Sequence, residues 1–325
     1  MQQPASAEQT HQNGYKMRKL IFVTVFMAMT VSAMAQTAER YRQRYELLVS
    51  QFGPAGVGIE TVLDNWAKVD STSTDFLFAR FSYYFTKAQT TEVVSRPEKK
   101  YLGMDPMLTL KDSTGTEVNY YQVNVFDDEL YGKSMRAIDK AISLYPEMLD
   151  YRFLKANAYI AYEKESPDMA LPYLLDLAGR EKERKWTYEE SPVPEGLFEE
   201  FMQEYCYSFY SIGSPAAYDA FLTLSQKLAS VYPDYLDFSN NVGSYYMIAK
   251  EDYKSALKQY SKVLKKDPAN YTAIKNSVLA SRKMGNVKSE KKYLQMLAEH
   301  GSETEKLAAQ GRLTQLSKEW MLHIS

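Results

Sequence analysis

Apolar residues recur along most of this chain at the three- and four-residue spacing of an amphipathic helix. One clear stretch places Ala256, Tyr260, Val263 and Leu264 on a single helical face, and Pro268 follows it as expected beyond a helix C-terminus. The pattern predicts helices near 38–52, 58–68, 74–90, 128–144, 149–163, 168–180, 194–211, 215–231, 234–249, 252–266 and 271–283, another from the Gly285-Asn286 break to about 299, and a last one near 304–321.

Two stretches depart from the helical pattern. In the segment 91–127, polar and apolar residues alternate over 107–111, Asp112 to Gly115 have turn chemistry, and a β-prone run follows. This predicts a β-hairpin inserted between two helices. Tyr120 and Tyr121 of the hairpin are contact candidates, since neighbours on a strand point to opposite faces, so that one packs and the other faces out. The segment 181–193 is charged, ends near two prolines, and is predicted to be a linker.

The chain also repeats itself. The segment 145–151, which begins Tyr145-Pro146, recurs as 232–238, which begins Tyr232-Pro233, and tyrosines on both sides match at the same offset. An internal repeat is typical of stacked structural units, which usually bind other molecules rather than catalyse reactions.

Residues 233–299 resemble the tetratricopeptide repeat, in which units of about 34 residues each form an antiparallel helix pair, A and B. Val242-Gly243 and Tyr246 match positions of helix A, and Gly243 would let helix B approach closely. The helix B positions are matched by Ala256, Tyr260, Val263 and Pro268, and an earlier unit by Ala156, Tyr159, Ala170 and Leu174. In the unit after 268, Ser281 and Glu290 replace the usual Tyr and Ala. The resemblance is strongest over 215–299.

The resemblance implies an all-α fold of antiparallel helix pairs, stacked as a right-handed solenoid with the small β-hairpin inserted. We therefore expect one domain over 36–325, which includes the insertion 91–127, the linker 181–193 and a capping helix at 302–321. Tyrosines at the repeat positions are expected in the core, with their hydroxyls at its edge. These tyrosines are Tyr145, Tyr159, Tyr232, Tyr246, Tyr253 and Tyr260.

The N-terminal part has the pattern of a secretion signal. Lys16, Arg18 and Lys19 precede an uncharged, mostly apolar run, and Ala33-Met34-Ala35 is a small-x-small cleavage site. The uncharged run to Ala35 is shorter than the ~20 residues of a membrane-spanning helix. We therefore expect cleavage between Ala35 and Gln36, removal of residues 1–35, and a periplasmic or extracellular bacterial protein without a membrane span. Met17 fits the start of such a leader better than Met1.

Composition and motifs point away from catalysis. The formal net charge is −2, with acidic and basic residues interspersed, which argues against a nucleic-acid surface. Cys206 is the only cysteine, and its apolar helical neighbours favour a buried, inert thiol. The chain has neither a His-Glu-x-x-His motif nor cysteines at metal-binding spacing, and its glycine-rich loop 53–58 lacks the ending of a phosphate loop. We therefore expect no enzyme, no catalytic residues, no metal and no cofactor.

The predicted function is the binding of a protein or peptide. Tetratricopeptide arrays bind mainly through a concave groove lined by helix A, and the resemblance makes six residues groove candidates. They are Asn157, Asn240, Asn241, Lys275, Asn276 and Arg282. Asn240 and Ser244 stand where some members of the family carry the Lys and Asn that hold a terminal carboxylate, which argues against capture of a peptide C-terminus. The alternative is a glycan-binding or nutrient-uptake accessory protein of the envelope.

Overall fold

The computed structural model describes residues 35–180 and 185–322, with side chains through residue 318, and most of these residues are helical. The predicted secretion signal lies outside the described residues, apart from Ala35. The helices are α1 (35–52), α2 (Ile59–Val69), α3 (Thr74–Lys87), α4 (Asp128–Leu144), α5 (Leu149–Glu163), α6 (Ala170–Arg180), α7 (Leu197–Ile212), α8 (Pro215–Val231), α9 (Leu236–Ile248), α10 (Tyr253–Lys266), α11 (Tyr271–Lys283), α12 (Val287–His300) and α13 (Glu303–Leu322).

Side-chain caps mark several of the helix starts. The carboxylate of Asp127 accepts a hydrogen bond from the backbone N–H of Leu130 at the start of α4, at 2.9 Å. Ser214 caps α8 in the same way, with Pro215 in the first turn, and Asn270 caps α11. These groups satisfy backbone donors that have no partner within the helix. The caps explain why the predicted starts of α4, α8 and α11 agree with the observed ones.

A three-stranded sheet occupies most of the inserted segment. Its strands are β1 (Gln89–Arg96), β2 (Leu108–Lys111) and β3 (Glu117–Phe126), in the order β1-β3-β2. β2 and β3 form the predicted antiparallel hairpin, with Leu108 opposite Tyr120 and Leu110 opposite Val118. The strand β1 was missed by the sequence prediction, which assigned its first residues to the preceding helix and did not identify the rest as a strand.

Contacts divide the chain into two compact units. The first comprises the described residues up to Thr91 together with Asn124–Pro146, and therefore contains α1 to α4. In its core, the ring of Trp66 on α2 packs edge-on against Phe76 on α3, with 5.7 Å between ring centroids. α3 also packs against α4. The residues between these two helices in sequence are the sheet segment, so the insertion separates helices that remain in contact.

The second unit comprises Glu92–Val123 and the described residues from Glu147 onwards. Each helix from α7 to α13 packs against the next, and α9 additionally contacts both α7 and α11. This is the arrangement of stacked helix pairs, in which the first helices of successive pairs lie side by side. Large buried side chains fill the core between α5 and α9; among them are Phe153, Phe198, Met202, Phe209, Leu224 and Phe238.

Gly243 on α9 and Tyr260 on α10 form the closest approach within one of these pairs. A Cβ atom on Gly243 would lie 2.5 Å from Cε1 and 2.8 Å from Cζ of the Tyr260 ring. That ring is fully buried, and its hydroxyl lies 3.2 Å from the hydroxyl of Ser244. Burial raises the pKa of Tyr260 to about 12. The predicted role of Gly243, to let the second helix approach closely, is confirmed.

The predicted fold class is confirmed: the described chain is mostly helical, with stacked helix pairs and a small antiparallel hairpin. The predicted linker contains a short hairpin of β4 (Thr187–Tyr188) and β5 (Ser191–Pro192), preceded by the buried Trp186. Cys206 is fully buried as predicted. Of the six repeat tyrosines, Tyr232 and Tyr260 are buried and the others are half-buried.

The single-domain boundaries 36–325 stay a prediction. Among the described residues, none of the helices is both long and apolar enough to cross a membrane.

The approach of α10 to α9 gives a stability prediction. We expect Gly243→Ala to lower the free energy of unfolding by about 1–3 kcal/mol, because the added methyl group overlaps a ring that cannot move without disturbing the core. The matched control is Gly311→Ala on α13, where a Cβ meets nothing within 4 Å. That change should stabilise the protein by about 0.5–1 kcal/mol, since alanine is the better helix former. Urea denaturation measures the free energy of unfolding of each variant. Equal changes in the two variants would contradict the close approach of α10 to Gly243.

Candidate functional site

The groove candidates lie on α5, α9 and α11, and the structure divides them by burial. Asn240 and Asn241 are 2% and 9% exposed, so they are buried rather than available to a partner. Asn276 is half-buried, whereas Asn157 and the two cations, Lys275 and Arg282, are exposed. The repeat pattern predicted the helices correctly, but it did not predict how deeply each side chain lies.

The buried asparagines connect successive first helices of the stack. Asn241 on α9 exchanges two hydrogen bonds with Gln203 on α7, at 2.8 and 3.2 Å. Asn240 donates to the Oδ1 atom of Asn270, the cap of α11, at 3.1 Å. Buried amides without such partners would destabilise the fold. These two candidates therefore have a structural role, which departs from the exposed groove position expected of them.

Lys275 makes the next contact between first helices of the stack, from α11 to α13. Its ammonium group donates to the hydroxyl of Tyr271 at 2.9 Å and lies 3.5 Å from a carboxylate oxygen of Glu305 on α13. The Tyr271 hydroxyl also donates to Glu305. Hydrogen bonds from Tyr271 and Ser302 lower the pKa of Glu305 to about 2. The polar ladder, as we name the contacts Gln203–Asn241, Asn240–Asn270 and Lys275–Glu305, thus runs from α7 through α9 and α11 to α13.

Arg282 belongs to a separate ionic cluster at the end of α11. Its Nε atom lies 2.8 Å from Oε1 of Glu290 on α12, and the Nε atom of Arg312 on α13 lies 3.1 Å from the same oxygen. The Glu290 side chain is only 4% exposed. Burial alone would raise the pKa of Glu290, but hydrogen bonds from Arg312 and Arg282 outweigh it and hold the pKa below 4.5. Two arginines from different helices therefore share one buried carboxylate.

The hairpin candidates, Tyr120 and Tyr121, point in opposite directions as predicted for neighbours on a strand. Tyr121 is 1% exposed, and its hydroxyl donates to the backbone oxygen of Glu98 at 2.5 Å. Asn119, on the same face of β3, is also buried and donates to that oxygen at 2.8 Å. Tyr120 is half-buried on the opposite face. Only Tyr120 therefore remains available for contact with a partner.

Sequence reasoning missed the apolar residues around Tyr120. Leu108 and Leu110 on β2 are each 48% exposed, and they lie opposite Tyr120 and the half-buried Val118. We call these four residues the open face of the hairpin. The period-2 alternation of the two strands indicated that one face would be apolar. It could not show that the other face, with Asn119 and Tyr121, is the one that is covered.

A loop holds the hairpin on the helices of the second unit. Gly103 lies so close to α7 that a Cβ atom there would overlap the backbone oxygen of Ser211. In the same loop, Tyr101 packs against Tyr121, with 5.6 Å between ring centroids. The covered face is thereby packed against its own loop, while the open face receives no such cover in the described residues.

The thiol of Cys206 lies in the core, where it is poorly suited to act as a nucleophile. Burial raises the pKa of Cys206 to about 12, so the thiolate that a nucleophile needs is strongly disfavoured. The Ser225 hydroxyl lies 3.5 Å from the sulfur. Within residues 35–180 and 185–322, no group of three or more His, Cys, Asp or Glu side chains is placed to hold a metal ion.

Comparison with known proteins supports a helical-repeat family for the C-terminal part. A family model described as the TT21 fifth ARM repeats domain matches residues 245–322, from within α9 to the end of α13. Among solved structures, the chain is similar to the crystal structure of the P58(IPK) TPR domain, with 10% identity and a TM-score of 0.29, over 97% of this chain and 71% of that chain. No curated protein matches the chain.

The ionic cluster gives a pH-dependent prediction. Glu290→Gln should lower the free energy of unfolding at neutral pH by about 1–3 kcal/mol, because the neutral amide leaves Arg282 and Arg312 without their shared carboxylate. The native pKa of Glu290 is lowered, so its contribution is present above pH 4.5 and disappears as the pH falls through the native value. The difference between wild type and variant should therefore shrink in acid.

Urea denaturation at several pH values measures this difference. The matched control is Glu299→Gln on the same helix, where the carboxylate is 75% exposed. It should change stability by less than about 0.5 kcal/mol at any pH. A Glu290→Gln effect that is absent, or that does not diminish in acid, would contradict the importance of the two-arginine contact.

Proposed function

We propose that this protein is a non-catalytic scaffold of the bacterial cell envelope that binds a protein or peptide. Its helical-repeat fold is consistent with such a role, because stacked helix pairs bury their core between neighbours and leave long surfaces for partners. The exported location is supported by the leader-like pattern that ends at Ala35. A glycan-binding role stays the alternative prediction.

The observation that carries the proposal is the open face of the hairpin. β2 lies at the edge of the sheet, and both of its leucines remain about half exposed. Grouped, exposed apolar side chains are typical of protein-interaction sites, and an edge strand additionally offers backbone hydrogen bonds to an extended partner. The open face is therefore the primary contact that we propose.

The concave groove is a second, weaker candidate for the partner-binding surface in this proposal. Of its six candidates, Asn157 is exposed and has no side-chain hydrogen bond within the described chain, so it is free to meet a partner. Lys275 and Arg282 are exposed but engaged with Glu305 and Glu290. A partner would have to compete with these carboxylates. The groove thus offers fewer free polar groups than the repeat pattern suggested.

Replacement of the two leucines tests the hairpin as the contact. We expect Leu108→Ser with Leu110→Ser to weaken partner binding by at least about tenfold, since covering each half-exposed leucine contributes about 1 kcal/mol. The matched control is Leu279→Ser with Leu307→Ser, which removes two exposed leucines from α11 and α13. Chemical cross-linking and affinity capture from a bacterial envelope fraction measure retention of the captured protein.

The two leucine substitutions are a better test than deletion of the whole hairpin, residues 104–125. The deletion would also remove the buried side chains of Tyr121 and Val123. Circular dichroism should show the same helix content in both double variants and the wild type. Capture that survives in the β2 variant, or that is lost equally in the control, would exclude the open face as the contact. A chain that captures no protein in any form would contradict the scaffold function itself.

Export is tested separately through the cleavage site. Expressed in a bacterial host, the chain should appear in the periplasm or medium with Gln36 as its first residue, as read by mass spectrometry of the intact protein. Ala33→Asp with Ala35→Asp should block processing, because the site needs small uncharged residues at these two positions. Met34→Ser, at the tolerant position between them, is the control and should be processed normally. A full-length cytoplasmic wild type would contradict export.

A further inference from the structure

A basic pocket lies in the first unit, between the end of α2 and the facing sides of α3 and α4. Its volume is about 500 Å³. Four cations line it, and none of its described lining residues is acidic. The lining comprises Ala67, Ser71, Phe76, Leu77, Arg80, Tyr84, Lys133, Arg136, Ala137 and Lys140. We call it the basic pocket.

The helix period explains how the pocket is built. On α4, Lys133, Arg136 and Lys140 are three and four residues apart and therefore share one face. On α3, Arg80 lies between Phe76 and Tyr84 in the same way. The side chains of Phe76 and Leu77 are at most 2% exposed and form an apolar floor. The pocket thus combines a buried apolar base with a rim of positive charge.

The rim is only partly neutralised by the protein itself. Arg80 lies 4.0 Å from a carboxylate oxygen of Asp64, and Lys133 lies 2.9 Å from Glu129 on its own helix. Lys140 donates to the backbone oxygen of Ser71 at 2.7 Å and has no carboxylate partner in the described chain. Arg136 is exposed and has neither an ion pair nor a side-chain hydrogen bond within the described residues. A surplus of two positive charges therefore faces the opening, where it attracts anions.

The spacing of the cations favours an extended chain over one compact anion. Lys133 and Lys140 are separated by about 10 Å along the axis of α4, at 1.5 Å per residue. A single phosphate group cannot contact both ends of such a row. In an extended peptide, alternate side chains point the same way at about 7 Å intervals. An apolar residue flanked at alternate positions by two acidic ones would place its side chain on the floor and its carboxylates along the rim.

We infer that the basic pocket binds an acidic segment of a protein partner, in which an apolar residue lies between carboxylates. This inference rests on the proposed protein-binding function and names the chemistry of one partner segment. Arg136 and Lys140 supply the unneutralised charge, and Arg80 and Lys133 extend the rim. Phe76 and Leu77 close the base of the pocket, and the half-buried Ala67 provides accessible apolar surface there. The pocket is distinct from the open face of the hairpin, which is apolar and carries none of these residues.

Fluorescence anisotropy with a labelled Gly-Glu-Ser-Leu-Ser-Glu-Gly peptide tests the inference on the whole chain. We expect saturable binding that weakens with added salt, and at least about tenfold weaker binding in Arg136→Gln with Lys140→Gln, since charge-assisted hydrogen bonds are lost. The matched control is Lys254→Gln with Lys258→Gln, which removes two exposed cations from α10. The same peptide with glutamine in place of glutamate should not bind.

Each remaining outcome counts against the inference. No binding of the acidic peptide, equal weakening in the control variant, or unchanged binding of the glutamine peptide would overturn it. Displacement of the peptide by millimolar inorganic phosphate at the same ionic strength as a chloride control would also overturn it, because the pocket would then select compact anions. Circular dichroism establishes that both variants are folded. Failure here leaves the hairpin experiment unaffected, so the inference and the proposed function can fail independently.

Discussion

The close approach of paired helices is the constraint on which most of this fold depends. An amphipathic helix of this length cannot bury its apolar face alone, so each must pack against its neighbours along the chain. At α9 and α10 the ring of Tyr260 reaches the backbone of Gly243, where any side chain would intrude. Tyrosine is well suited to this place, because it fills the gap with a large apolar body and keeps its hydroxyl bonded to Ser244.

Polar contacts specify how neighbouring helix pairs align, which apolar packing alone does not. The polar ladder connects the first helices of successive pairs through amide–amide and ionic contacts, and Glu290 draws α11, α12 and α13 together through two arginines. The buried groups among these, Asn240, Asn241 and Glu290, require partners at defined positions, so a pair that slipped along its neighbour would leave them unsatisfied. The ladder therefore restricts the register of the stack more than it adds to the driving force for folding.

Local signals made the helices predictable, whereas distant contacts decided the site. Periodicity identified the helices, and neighbouring residues such as the caps Ser214 and Asn270 fix where two of them begin. β1 was missed because nothing nearby marks where α3 ends: the capping residue Ala88 continues in helical conformation. Asn240 and Asn241 hydrogen-bond to residues 30 and 38 positions away in sequence, and no local pattern displays such contacts. The basic pocket combines helices that flank the insertion, so no single stretch of sequence displays it.

Alternate residues along each strand of the hairpin lie on two faces of the sheet, and the two faces have different roles. Asn119 and Tyr121 anchor one face to the loop beneath, while Leu108, Leu110 and Tyr120 face away. Substitutions on the outward side therefore leave the anchoring contacts untouched. In an evolving lineage, such a surface can acquire new specificities at little cost to folding, and it supplies variation that the tightly packed helix pairs cannot tolerate.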